Sequence, residues 1–224
     1  MPRNAMCALV LSSRAKGIVT AVSVLVFAFV LVAPLAVSSD AATCTVDAYG
    51  GRAYGLWLHT PVSETTYADT GDLPPDGGSS DSTVDWTGTP AAEATAFFSL
   101  TTASDGVAQS FVSASGVTLI PGDVPLVTAS SVSAKSEATC DGVSGSSTVA
   151  DLRVLGTPVT VTGEVNQMVF VPGVFTLVIN EQHVSTETSN SVTVNALHLW
   201  AQGVEIVVAS AHSEVVPAVV VPVA

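Results

Sequence analysis

The stretch Thr148–Thr162 reads TVADLRVLGTPVTVT, and its apolar pattern decides the fold class of the chain. Apolar side chains alternate up to the breaker Gly156–Pro158 and resume after it. Two β-branched runs separated by a Gly/Pro breaker predict two strands joined by a turn. The earlier stretch LWLHTPV, at Leu56–Val62, has the same outline. Both halves of the chain are therefore predicted to be built from β-strands.

The composition agrees with that prediction. Charged residues make up 11% of the 224 residues, well below the roughly 25% of ordinary globular domains. Ser, Thr, Gly, Ala and Val take their place, and β-branched residues favour strands. We predict an all-β fold, an antiparallel β-sandwich, preceded by an N-terminal signal helix.

Residues 1–17 carry Arg3, Arg14 and Lys16 without an acid, and the uncharged apolar run Ile18–Val37 follows. This order predicts a secretory signal peptide over residues 1–41, cleaved after Ala41 or Ser38. The alternative is a retained membrane anchor, because about 20 apolar residues can span a bilayer. Either way, we expect an extracellular or cell-envelope location.

The chain is strongly acidic, with a formal net charge of −13. Removal of the signal leaves Arg52, Lys135 and Arg153 against 18 acids, a charge of about −15. Binding to nucleic acid or to an anionic membrane begins with cationic side chains that neutralise phosphate. We therefore expect neither as a partner.

Two cysteines, Cys44 and Cys140, remain after the signal, which contains Cys7. Paired cysteines are common in exported chains, and no CxxC or Cys/His spacing indicates a metal site. We predict a Cys44–Cys140 disulfide, with neither cofactor nor metal.

Two segments allow alternatives. Asp69–Asp85 has five acids, two prolines and three glycines, which predicts a solvated surface loop; a calcium site is the alternative, but EF-hand spacing is absent. Thr89 with Pro90 fits a helix start, whereas Ala94–Thr102 also fits a strand.

Further strands are predicted at 106–117, 127–138, 168–171, 174–180, 191–200 and 204–212, with a hairpin turn at Gln202-Gly203.

The halves also suggest a duplication. Cys140 follows Cys44 by 96 residues, and Leu152 follows Leu56 by the same interval. The pair Gly203-Val204 follows Gly106-Val107 by 97 residues. Self-similarity at a fixed period indicates repeats, here 44–120 and 140–215, although chance agreement is common in a composition this narrow. Because the repeat aligns Ala94–Ser104 with a clear strand, it favours the strand there.

Five stretches resemble the choice-of-anchor P family of bacterial, mostly actinobacterial, exported surface proteins. They are CTVDAYGGRAYGLWL, TVADLRVLGTPVTV, LVINEQ (Leu177–Gln182), SVTVNALHLW and EIVVASAHS. The resemblance implies an exported domain over residues 42–215 whose molecular activity is unassigned. Such proteins are usually tethered at the C terminus; the Pro/Val-rich tail 216–224 lacks a sorting motif, which favours free or loose association with the envelope.

No catalytic motif stands out: GxSxG, HExxH and a Gly-rich phosphate loop are absent. Three histidines lie near glutamates in the sequence: His183, His198 and His212 near Glu181, Glu205 and Glu214. A zinc site or an acid/base pair would require these side chains to come together in the fold. Histidines that face solvent are the simpler expectation. Aromatic residues suited to stacking on sugars, or to core packing, are Trp57, Trp86, Trp200, Tyr54 and Tyr67.

Three hypotheses result. The first, which we favour, is a non-enzymatic surface or secreted protein with a structural or adhesive role. The second is a glycan-binding module, which requires exposed coplanar aromatic residues. The third is a secreted hydrolase, which requires a His–carboxylate–Ser cluster in one cleft. Cell-envelope components or glycans are the expected partners.

Overall fold

The computed structural model describes residues 45–85, 87–201 and 203–218, and these residues form antiparallel sheets. The predicted signal helix, Cys44 and Trp86 lie outside the described residues. The strands are β1 (Val46–Thr60), β2 (Ser63–Tyr67), β3 (Gly78–Val84), β4 (Thr87–Gly88), β5 (Ala92–Ala94), β6 (Ala96–Ser104), β7 (Val107–Leu119), β8 (Val127–Thr139), β9 (Gly142–Ala150), β10 (Arg153–Val154), β11 (Thr157–Pro158), β12 (Gln167–Val171), β13 (Phe175–Ser185), β14 (Asn190–Ala201) and β15 (Val204–Pro217).

The first sheet has six strands in the order β12–β13–β14–β15–β1–β2. Its centre joins the two ends of the domain, because β1 pairs with β15 along most of its length. Long-range pairing of this kind places residues 46–60 between the last strand and β2.

The second sheet has nine strands, and β7 and β8 form its centre. On one side β7 pairs with β6 and then β5, and β6 also pairs with β3. On the other side β8 pairs with β9 and then β10. The all-β prediction is confirmed, and the strand prediction for Ala94–Thr102 is confirmed by β5 and β6.

A large apolar core cluster and a smaller one lie between the sheets, in a sandwich-like arrangement. Side chains alternate along each strand, and inward side chains from both sheets form the large cluster, which includes Leu56, Phe97, Val132, Leu197 and Ile206. A polar seam crosses this interior, where the Ser136 and Ser213 hydroxyls from opposite sheets lie 2.8 Å apart. Paired hydroxyls satisfy each other, so serine is tolerated on buried faces.

A line of interruptions crosses the first sheet and changes which residues face outward. Asn180, Ala209 and Ala68 have positive φ values of 54°, 57° and 52°, and the regular pairing skips Asn180, Ala209 and Gly55. The skipped residues stand opposite one another, Asn180 and Gly55 at the two sides and Ala196 and Ala209 between them. One residue skipped in each strand reverses the inward–outward alternation beyond it. We call this line the crease.

Two predicted segments differ from the structure. Gly78–Val84 of the predicted acidic loop is strand β3, paired along its length with β6, so only its first half is a loop. In Thr148–Thr162 the first three residues end β9 and the turn is present, but the strands beside the turn are short. β10 and β11 have two residues each, and 159–162 lie outside strands. Val149, Leu152 and Val154 nevertheless all face the core.

The predicted duplication has a local counterpart. The β6–β7 and β14–β15 hairpins turn at Gly106 (φ 82°) and Gly203 (φ 81°), which are 97 residues apart. The Gly203 turn confirms the predicted hairpin. Each hairpin belongs to a different sheet, and duplication of the complete halves stays a prediction.

Candidate functional site

The outer face of the first sheet carries an unusual concentration of histidines and aromatic residues. His59, His183, His198 and His212 all belong to its strands and alternate with inward-facing neighbours. Since directly paired residues lie on the same side of a sheet, cross-strand register shows which of these side chains are neighbours.

Two adjacent cross-strand rows carry aromatic and aliphatic side chains. One row includes Phe170, Thr176, Trp200, Glu205 and His59. The next row includes Met168, Val178, His198, Val207 and Trp57. We call the apolar members of both rows the aromatic band: Trp57, Met168, Phe170, Val178, Trp200 and Val207.

The band is exposed at one edge and partly covered towards the centre. Met168 is 64% exposed and Phe170 62%, both on edge strand β12, while Trp200 is 36% exposed. Trp57 is half-buried. Val178 and Val207, which lie between the rings, are buried. Exposed apolar side chains grouped on one face mark interaction sites in soluble proteins, so the band is a candidate binding surface.

Each tryptophan in the band contacts a histidine ring of its own strand. The Trp200 and His198 ring centroids lie 3.6 Å apart, and those of Trp57 and His59 lie 5.7 Å apart. The Trp57 indole also donates a 2.8 Å hydrogen bond to Glu64 Oε1 on β2. These contacts restrict the orientations of both indoles, so the band is a preformed surface.

Below the band, His198 lies between two carboxylates. Its Nδ1 is 2.7 Å from Glu181 Oε2, and its Nε2 is 2.8 Å from Glu205 Oε1. Asn195 Nδ2 donates a 2.7 Å hydrogen bond to the same Glu181 oxygen. His198 is only 8% exposed, so the cluster is largely buried, and its histidine ring packs against Trp200.

These contacts determine the protonation of Glu181. Burial raises the pKa of its carboxyl, but hydrogen bonds from His198 and Asn195 outweigh burial and lower the pKa to about 2. In the folded protein the Glu181 carboxylate is therefore ionised near neutral pH.

A second polar cluster lies on the other side of the crease. Arg52 donates hydrogen bonds to both carboxylate oxygens of Asp69, at 3.0 and 2.7 Å. The Arg52 hydrogen bond lowers the pKa of Asp69, and burial raises the pKa of Tyr54, whose ring lies beside the guanidinium. Burial lowers the pKa of His212, whose Nδ1 lies 2.9 Å from Thr193 Oγ1.

The structure brings some sequence candidates together and separates others. Glu181, His198 and Glu205 converge, and His183 Nε2 is 3.4 Å from Glu181 Oε1. His212 pairs more loosely with Glu214, at 4.0 Å. The expectation of solvent-facing histidines is right for His183 and wrong for His198.

The aromatic candidates also separate. Trp57, Trp200 and Tyr54 share the outer face, whereas Tyr67 packs against the core. Sequence reasoning missed Met168 and Phe170 as surface residues. The alternation in Gln167–Val171 contained that signal, because only one side of an edge strand can face the core.

Other surfaces of the described chain offer less chemistry. The depressions at Asp151–Val161 and around Ile120–Leu126 have no histidine in their lining. Within residues 45–85, 87–201 and 203–218, no group of three His, Cys, Asp or Glu side chains is placed to hold a metal ion. Cys140 lies in the turn after β8 and contacts a small apolar cluster of Leu73, Ala103, Ala108, Ala138 and Val215.

Comparison with known proteins returned no match among family models, curated proteins or solved structures. Over the described ranges, no helix is long and apolar enough to cross a bilayer.

Proposed function

We propose that this is an exported, non-enzymatic surface or secreted protein with an adhesive role, and that the aromatic band is its contact surface. The observation that carries the proposal is the band itself, exposed at Met168, Phe170 and Trp200 on the outer face of the first sheet. Exposing such side chains to water is unfavourable by roughly 25 cal/mol per Å², so a binding partner would gain by covering them.

The environment of His198 supports a non-enzymatic role. A general base needs a ring nitrogen free to accept a proton from the substrate. Both nitrogens of His198 instead face carboxylate oxygens within 2.8 Å. That arrangement suits a side chain that holds Trp200 in place.

Export is supported by the leader-like residues 1–41 and by the resemblance to choice-of-anchor P surface proteins. The acidic charge is consistent with a partner other than nucleic acid or anionic lipid. Cell-envelope components or glycans are the partners that this role requires.

Binding of purified protein to the envelope fraction of the producing organism tests the proposal. The variant Phe170→Ser/Trp200→Ala removes two exposed rings from the band. We expect it to lose at least about tenfold in envelope binding, because aromatic anchors dominate such contacts.

The matched control is Phe98→Ser/Phe111→Ser, on the second sheet. Those rings are each 38% exposed and lie 6.4 Å apart, so the control also removes two exposed rings, from another face. Thermal unfolding of each variant confirms that it is folded. Equal loss in both variants, or no binding by the original protein, would refute the proposal.

A further inference from the structure

We propose that the aromatic band binds an extended, uncharged polysaccharide chain laid across the strands of the first sheet. This inference rests on the proposed adhesive function and names the chemical class of its partner. It uses the three rings of the band, Phe170, Trp200 and Trp57, as successive stacking platforms.

The spacing of the rings carries the inference. Phe170 on β12 and Trp200 on β14 lie in the same cross-strand row, separated by the one strand β13. Trp200 and Trp57 are likewise separated by one strand, β15, with Trp57 one row along. With strands about 4.8 Å apart, the platforms lie about 10 Å apart across the sheet. In an extended β-1,4-linked chain alternate sugar rings present the same face, so rings repeated in this way can stack on every second sugar.

The chemistry of the platforms suits sugars. The face of an aromatic ring is electronegative and attracts the weakly positive C–H groups on the flat side of a pyranose. Trp57 is held to Glu64, and Trp200 to His198, so neither indole needs to be ordered on binding. A preformed surface avoids part of the entropic cost of association.

Polar side chains beside the platforms can hydrogen-bond sugar hydroxyls. Glu64 and His59 are 62% and 49% exposed at their side chains and lie beside Trp57. Glu205 is 32% exposed and lies between the two tryptophan strands. These groups border the part of the band that contains Trp57 and Trp200, where they can reach the hydroxyls of a sugar stacked on either ring.

The negative charge beside the aromatic band disfavours the binding of acidic polysaccharides. The border includes the carboxylates Glu64 and Glu205, the ionised Glu181 lies beneath the band, and the whole chain carries −13. Arg52, the cation on this face, already binds Asp69 on the far side of the crease. A polyanion would meet repulsion with no cation to offset it, so the fitting occupant is neutral.

Isothermal titration of the purified protein with cellohexaose, chitohexaose and mannohexaose tests the inference, with alginate as the anionic probe. We expect at least one neutral hexamer to bind and alginate not to bind. Trp200→Ala and Phe170→Ser should each weaken binding by about tenfold. Phe111→Ser, on the second sheet, should leave it unchanged.

The outcomes separate this inference from the proposed function. If the envelope is bound through the band but no neutral hexamer binds, the polysaccharide inference is wrong and the adhesive function stands. Tighter binding of alginate than of the hexamers would also overturn it. Sedimentation showing a dimer that Phe170→Ser dissociates would assign the band to a second copy of the chain instead.

Discussion

At the scale of single residues, the cluster around His198 is defined by its hydrogen bonds. His198 Nδ1 lies 2.7 Å from Glu181 Oε2, and its Nε2 lies 2.8 Å from Glu205 Oε1. Hydrogen bonds from His198 and Asn195 stabilise the ionised form of Glu181. Partial burial strengthens these contacts, because solvent screens them less than an exposed pair.

The low pKa of Glu181 predicts a pH-dependent contribution to stability. Its folded-state pKa of about 2 lies below the ordinary value of 4.5, so ionisation stabilises the fold fully above about pH 4.5. That contribution is lost as the pH falls towards 2. Glu181→Gln should lower the free energy of unfolding near pH 6 by about 2 kcal/mol, and should reduce the decline between pH 5 and pH 2 in urea titrations.

Glu187→Gln is the matched control for that titration, because Glu187 is an exposed residue between β13 and β14. It should retain the acid-dependent decline of the original protein. If Glu181→Gln retained the same decline, the carboxylate would not be stabilised by His198 and Asn195.

At the scale of elements, the crease decides which side chains meet. If the pairing did not skip Asn180, Glu181 would share the inward face of Ile179. The skipped pairs at Asn180 and Ala196 instead put Glu181 and Asn195 on the outer face beside His198. Asp151, with φ 52°, acts similarly in the second sheet: it lets Val149 and Leu152, three residues apart, both face the core.

Close packing of β1 against β6 gives a second prediction. A Cβ added at Gly55 would overlap the ring of Phe97, which is 2% exposed and has no room to move. Gly55→Ala should therefore destabilise the protein by about 1–3 kcal/mol, measured as the free energy of unfolding in urea.

Gly122→Ala provides the control, since a Cβ at Gly122 meets no atom within 4 Å. It should change stability by less than about 0.5 kcal/mol. A Gly55→Ala protein as stable as this control would show that β1 and β6 separate readily.

At the scale of the whole molecule, the ends of the domain lie together. The Ala218 amide donates a 2.8 Å hydrogen bond to the Thr45 carbonyl. Val46 and Cys140 contact the same small apolar cluster. This proximity supports the proposed Cys44–Cys140 disulfide, which would join the start of β1 to the β8–β9 turn.

Peptide mapping of secreted protein without reduction should give one linked pair containing Cys44 and Cys140. Cys140→Ser should lower the free energy of unfolding by about 4 kcal/mol in the chain-entropy model. Cys44→Ser and the double variant should lose the same amount, because each removes the same bond. Alkylation of both thiols in unreduced protein would contradict the pairing.

The sequence by itself determined the fold class and most strand positions. β-branched composition and alternation predicted the all-β chain, and the glycine at position 203 predicted the last hairpin. These are local properties, since strand alternation and turn conformation depend on neighbouring residues. The loop prediction for the acidic stretch was wrong at Gly78–Val84. These polar residues form an edge strand, which is held by pairing with β6 and not by a regular pattern of buried apolar side chains.

Only the tertiary structure decided the candidate site. Glu181, His198 and Glu205 come from three strands, and their contact depends on sheet order, register and the crease. Trp57 joins Trp200 on one face because β1 pairs with β15, about 150 residues away in sequence. Such pairing depends on burying both sheets against one core, a non-local property that no short stretch of sequence contains.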